Sequence, residues 1–113
     1  MNYSIEQELQ SLNTPAPRVT PQDIEDNIQS EYYFTAEQAV SSLSTTSIYE
    51  KSLALLTFCV VVLKNGYTVV GESACASPEN FNSKVGERIA RDNALDKIQP
   101  LMGYALKQEL AQK

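Results

Sequence analysis

Residues 53–81 read LALLTFCVVVLKNGYTVVGESACASPENF, and this stretch decides the fold. Two apolar runs of strand character flank Asn65-Gly66, a pair that marks a tight β-hairpin because both residues tolerate positive φ. With Asn65 and Gly66 as a two-residue loop, Lys64 pairs with Tyr67. The same register sets Val62 against Val69, Val61 against Val70, Cys59 against Glu72 and Phe58 against Ser73. Side chains alternate across a strand, so Cys59 and Cys75 are expected on opposite faces, where no disulfide forms. Both are expected as buried, reduced thiols. Gly71, inside the second strand, marks a close backbone approach.

Downstream, Ser77-Pro78-Glu79 has the order of an N-cap, a first-turn proline and an acid that complements the helix dipole. The expectation is a helix from Pro78 to about Ile98, a break at Pro100, and a second helix from about Leu101 to Gln112. Phe81, Val85 and Ile89 share one face, and Ala94, Ile98, Leu101 and Ala105 share another.

Upstream, Thr20-Pro21-Gln22-Asp23 predicts a capped helix that runs to about Tyr32 with Ile24 and Ile28 on its apolar stripe. Tyr32, Tyr33 and Phe34 are expected to fill core, and Thr35 to cap a short helix through Val40. Residues 1–19 are expected to be weakly ordered, although Ile5, Leu9 and Leu12 have helical spacing. Residues 41–47, SSLSTTS, read as a polar loop. The fold class that follows is α+β: an antiparallel sheet built on a central hairpin and packed by helices. Residues 1–50 form a helical, acidic N-terminal arm, and residues 51–113 form the core of one compact domain.

Charge is unevenly distributed. Residues 1–50 carry eight acids and one cation, Arg18, and residues 51–113 carry eight cations and six acids, so balances of −7 and +2 make up the net −5. No basic stripe is present for a nucleic-acid backbone, so no nucleic-acid partner is expected. No apolar run approaches the ~20 residues of a membrane span, so no membrane is expected. MNYSIEQELQ resembles no secretory signal, and two unpaired cysteines fit a reducing cytoplasm.

The chain has no histidine, which removes histidine-based triads and most zinc sites. Asp92 and Asp96, four apart, lie within reach of Arg88 and Lys97 and read as surface ion pairs. No catalytic residues, no metal ligands and no cofactor are assigned, and the chain is expected not to be an enzyme. A binding site is placed instead at the strand-to-helix joint, where Ser77, Asn80 and Phe81 stand at a helix start with Arg88 and Arg91 following. Free N–H groups there attract anions, and arginine suits bidentate phosphate contact.

The segment LLTFCVVVLKNGYTVVGESACASPENFNSKVGERIARDNALDKIQPLMGYAL resembles a family of small tailed-phage and prophage proteins. Its hallmarks are the hairpin followed by SPENF, an IARENA-like helix and a KIWPLxGY ending; Gln99 stands where that family usually has Trp. The architecture is similar, more distantly, to Thoeris anti-defence sponge proteins of the first type. The resemblance implies expression in a bacterial host's cytoplasm and sequestration of a small nucleotide immune signal, such as a cyclic ADP-ribose isomer or a cyclic oligonucleotide. Two other roles stand beside it: an inhibitor whose acidic half docks on a basic host protein, and a virion or assembly component.

A homo-oligomer is also expected. Leu101, Met102, Tyr104, Ala105, Leu106 and Leu110 surround the last helix more widely than one core-facing stripe requires. The hairpin or that helix would form the interface of a dimer or an assembly of dimers.

Overall fold

A computed structural model describes residues 3–12, 16–43 and 48–113. The chain forms α1 (Tyr3–Ser11), α2 (Pro21–Asp26), β1 (Ile28–Thr35), α3 (Ala36–Ser41), β2 (Leu56–Leu63), β3 (Thr68–Ala74) and α4 (Ser83–Ala111), with single 3-10 turns at Lys51–Leu55 and Pro78–Asn80. The strands make one antiparallel sheet in the order β1-β2-β3. The fold is therefore α+β, and the hairpin β2-β3 is its centre.

The hairpin forms, but its register is one residue away from the expected one. Leu63 N donates to Tyr67 O at 2.9 Å, and Gly66 N donates to Leu63 O at 2.9 Å. The loop is thus Lys64-Asn65-Gly66. Asn65 Oδ1 accepts from Tyr67 N at 2.9 Å, and Gly66 takes the positive φ, +90°. A three-residue loop with glycine in the left-handed region is the hairpin that this side-chain bond favours. Val61 consequently faces Val69, Val60 faces Val70, Cys59 faces Gly71 and Phe58 faces Glu72.

A one-residue shift exchanges the two faces of β3 relative to β2. Val69 and Gly71 join Thr57, Cys59, Val61 and Leu63 on the buried side, and Val70 turns outward. The cysteine reading changes with it. Cys75 N donates to Leu55 O at 3.1 Å, so Cys75 follows the parity of Gly71 and shares the side of Cys59. Both thiols are free because four residues, about 13 Å of strand, separate them.

α4 lies across β2 and β3. Its Gly86, Ala90, Ala94, Leu95 and Ile98 cover the buried side, and Ile24 of α2 closes the core. Contact is closest at Gly71, where an added Cβ would collide with Ala90 O and Ala94 N, both backbone atoms. The expected close approach of a backbone at Gly71 is therefore found, and the backbone is that of α4.

Four expectations need correction. The helix begun at Thr20 has its capping box with Asp23 but ends at Asp26, and Ile28–Thr35 is a strand. Pairing with the open edge of β2 outweighs helical spacing in a segment rich in aromatics. The first half of the chain is therefore not only a helical arm. Tyr32 is 58 % exposed and Tyr33 lies near the surface; Phe34 is half-buried on the outer side of the sheet, with its ring centroid 5.5 Å from that of Phe58. α1 forms, fastened by Arg18, which donates to both Glu6 carboxylate oxygens at 2.6 and 2.8 Å.

The fourth correction concerns α4. Pro78 opens only a 3-10 turn, and the α-helix is capped by Asn82, whose Oδ1 accepts from Lys84 N and Val85 N. It then continues through Pro100 without a break. Pro100 is exposed, and the helix accommodates it on its water-facing side. The buried stripe follows Gly86, Ala90, Ala94 and Ile98, which leaves Val85 and Ile89 at the surface. The cap on Thr35 forms as expected, through a box with Gln38. Residues 44–47 of the expected polar loop lie outside the described residues.

Replacement of Gly71 by alanine tests the helix-sheet contact. The variant should lose about 3 kcal/mol or more in urea unfolding, because neither colliding atom belongs to a movable side chain. Gly103→Ala, with nothing within 4 Å of the added Cβ, should instead gain about 0.5–1 kcal/mol.

Candidate functional site

The β3-α4 joint places the five expected site residues on two different sides of α4. Ser77 precedes the 3-10 turn, and its hydroxyl is already bonded to the Glu79 carboxylate. That bond holds the Glu79 carboxyl below its ordinary range. Asn80 is exposed. Phe81 is half-buried, with its ring beside Gly86 and next to Thr57. Arg88 is exposed, and among the described residues it enters no ion pair. Lys84, one turn earlier, is in the same condition, and nothing in the sequence had singled it out.

Arg91 has a different position and a different role. Its Nη1 and Nη2 donate to the two Glu25 oxygens at 3.0 and 2.7 Å, and its Nε donates to Glu31 Oε1 at 2.8 Å. Nη2 reaches Glu31 Oε2 at 3.2 Å as well. Tyr33 adds its hydroxyl, which donates to Glu31 Oε1 at 2.7 Å. One guanidinium thus ties α2, β1 and α4 together. The two carboxylates push the Arg91 pKa above its ordinary value, and the Arg91 hydrogen bonds hold Glu31 below its own. Burial, with the Glu31 carboxylate beside it, pushes the Tyr33 hydroxyl up.

Glu25 and Glu31 were not singled out as partners of Arg91 from sequence. The usable signal was the charge split, since an acidic first half and a mildly basic second half pair across the fold. Lys97, read from sequence as near Asp92 and Asp96, also reaches the sheet edge, with its Nζ 3.7 Å from Glu72 Oε2.

A second concavity lies at the far end of α4. Ile5 and Leu9 of α1 face Pro100, Gly103 and Leu106 across a groove of about 680 Å³, with the Glu6–Arg18 pair in its wall. Gln99 lines this groove. The hydrogen bonds of Arg18 and Gln10 hold the Glu6 carboxyl below its ordinary range, and Arg18 is spent on Glu6. The groove therefore offers apolar surface and little free charge.

Among the described residues no group of three or more acidic or cysteine side chains is placed to hold a metal ion, and no helix is long and apolar enough to cross a membrane. The fold and these surfaces define a small α+β protein with one long helix laid across a three-stranded antiparallel sheet. The chain belongs to the phage protein family described as N4 Gp49/phage Sf6 gene 66, whose model matches residues 19–110. The match covers α2 through nearly all of α4 and leaves α1 outside it. Comparison with curated proteins and with solved structures finds no match.

The Arg91 cluster gives a pH-dependent stability. Glu31 has a lower pKa folded than unfolded, so its contribution is present above the ordinary value of 4.5 and is lost as pH falls through the folded value. Glu31→Gln should therefore cost about 1–2 kcal/mol in urea unfolding at neutral pH. Below the folded Glu31 pKa, where wild type is itself protonated, the two midpoints should converge.

Proposed function

We propose that this phage protein is a non-catalytic accessory factor that binds and holds a small nucleotide signal of host defence, in the chemical class of cyclic ADP-ribose isomers or cyclic oligonucleotides. One observation carries the reading: Lys84 and Arg88 stand one turn apart on the first two turns of α4, exposed and without a carboxylate partner among the described residues. Asn80, also exposed, precedes them in the chain, whereas the ring of Phe81 lies beside Gly86 on the packed side of α4 and has a smaller part. Two such cations suit the phosphates of a nucleotide, and an amide suits a base or ribose edge. Ser77 and Arg91 have a smaller part in this reading than the sequence suggested, because each is already bonded within the chain. The absence of histidine from the chain supports binding without turnover.

The alternative, an acidic surface that docks on a basic host protein, has less to stand on. Glu6, Glu25 and Glu31 are spent on Arg18 and Arg91, and Asp23 on the cap of α2. Four of the eight acids of the first half thus serve as internal fasteners.

Isothermal titration with cyclic ADP-ribose isomers and cyclic dinucleotides tests the proposal. The expected result is binding at micromolar concentration or tighter, weakened at least about tenfold by Arg88→Glu, with the ligand recovered unchanged. No heat of binding with any of these ligands at ~100 μM would remove the reading, since a sequestering protein must compete with a tight receptor.

A further inference from the structure

The two edges of the sheet are finished differently. Leu63 bonds with Tyr67, so along β2 the backbone groups of Val61 and Cys59 face β3, and the groups of Val70 and Glu72 face the outer edge. Both of those outward carbonyls are occupied. Asn93 Nδ2 donates to Glu72 O at 2.7 Å, and Lys97 Nζ donates to Val70 O at 2.7 Å. Two side chains of α4 therefore close this edge against a further strand.

β1 has no such guard. Lys64 N donates to Asn27 O at 2.9 Å, so by alternation Ser30, Tyr32 and Phe34 bond to β2. The N–H and C=O groups of Glu31 and Tyr33 then point away from the sheet, and among the described residues no hydrogen bond reaches them. An open edge of this kind is a template for another strand.

We infer that β1 pairs antiparallel with β1 of a second copy of this chain, in the register that sets Tyr32 opposite its symmetry mate and Glu31 opposite Tyr33. The occupant and the register follow from charge and overlap. Outward-facing groups must meet each other, so the register advances in steps of two, and registers centred outside residues 31–33 leave five residues or fewer paired. Glu31 opposite Glu31 places like charges face to face. Tyr33 opposite Tyr33 leaves only residues 31–35 in the pairing. Tyr32 opposite Tyr32 keeps residues 29–35 paired and sets each Glu31 beside a tyrosine, the partner its carboxylate already has within the chain. A strand that fits itself about a two-fold axis gives an isologous contact. Because Asn93 and Lys97 close the other edge, the assembly stops at two chains and no fibre grows. The dimer expected from the sequence thereby acquires its interface at β1, not at the hairpin or the last helix, and it does not depend on nucleotide binding.

The outer sides of the two sheets become continuous across this axis. Tyr32 and Phe34 of each chain extend the stripe formed by Phe58, Val60 and Val62 of β2. The Arg91 cluster of each copy comes beside the dyad, since Glu31 and Tyr33 belong to the joined strands.

Light scattering on the full chain at tens of micromolar should give twice the 12.5 kDa of one chain. Tyr32→Lys should return the mass to 12.5 kDa with an unchanged circular-dichroism spectrum, since this side chain is already exposed in the single chain. Tyr32→Cys in a Cys75→Ser background should form a covalent dimer under mild oxidation, because the symmetric pair is not hydrogen-bonded and its Cα atoms lie about 4.5 Å apart. A wild-type mass of 12.5 kDa, or a dimer that survives Tyr32→Lys while the Tyr32→Cys variant gives no cross-link, would overturn the inference.

Discussion

A single backbone contact sets the rest of the structure. The carbonyl of Ala90 and the amide of Ala94 occupy the space in which any residue but glycine at position 71 would carry a side chain. With that space open, α4 comes down onto β2 and β3 with small residues, Gly86, Ala90 and Ala94, on its contact face. A helix seated so low brings Asn93 and Lys97 within hydrogen-bond reach of the β3 carbonyls, and it brings Arg91 down to β1 and α2. Core packing, edge closure and the acid-arginine cluster are three results of the same approach distance. Raising the helix by the width of a methyl group would weaken all three together.

The parts legible in the sequence were those governed by local chemistry. Thr20 and Thr35 cap helices through boxes because their partners three residues on, Asp23 and Gln38, lie within the same turn. Asn65-Gly66 turns the chain. Gly71 announced a close approach because a bare Cα inside a strand has few other uses. The register was less legible, since two-residue and three-residue loops share the Asn-Gly signature. The choice rested on whether Asn65 bonds its own backbone, which is a matter of one 2.9 Å contact. That contact moved Val69 inward and Val70 outward, and it placed both cysteines on one side.

β1 and the site were the harder parts, for a non-local reason. Residues 28–35 follow a true helix cap and carry helical spacing at Ile24 and Ile28, and only the free edge of β2, some thirty residues away, makes them a strand. The site residues suffered in the same way. Ser77, Asn80, Phe81, Arg88 and Arg91 are near in sequence, yet a helix turns about 100° per residue and parts Arg88 from Arg91. Arg91 faces β1, whereas Arg88 faces solvent. Proximity along the chain grouped these residues, and the direction of each side chain depended on which stripe of α4 is buried.

The commitment of Arg91 also limits where a phosphate can be held. Its four hydrogen bonds to Glu25 and Glu31 are charge-assisted, and water screens them only in part because all three side chains are partly buried. A phosphate that recruited this guanidinium would leave two carboxylates without their cation, and would itself stand beside them. Repulsion and lost hydrogen bonds would then offset the new contact. Lys84 and Arg88 carry no such obligation among the described residues, so an anion there adds to the electrostatics of the fold without taking from them. The chain thus divides its arginines between two roles. Arg18 fastens α1 to the segment before α2, Arg91 fastens α2 and β1 to α4, and Arg88 stays in water.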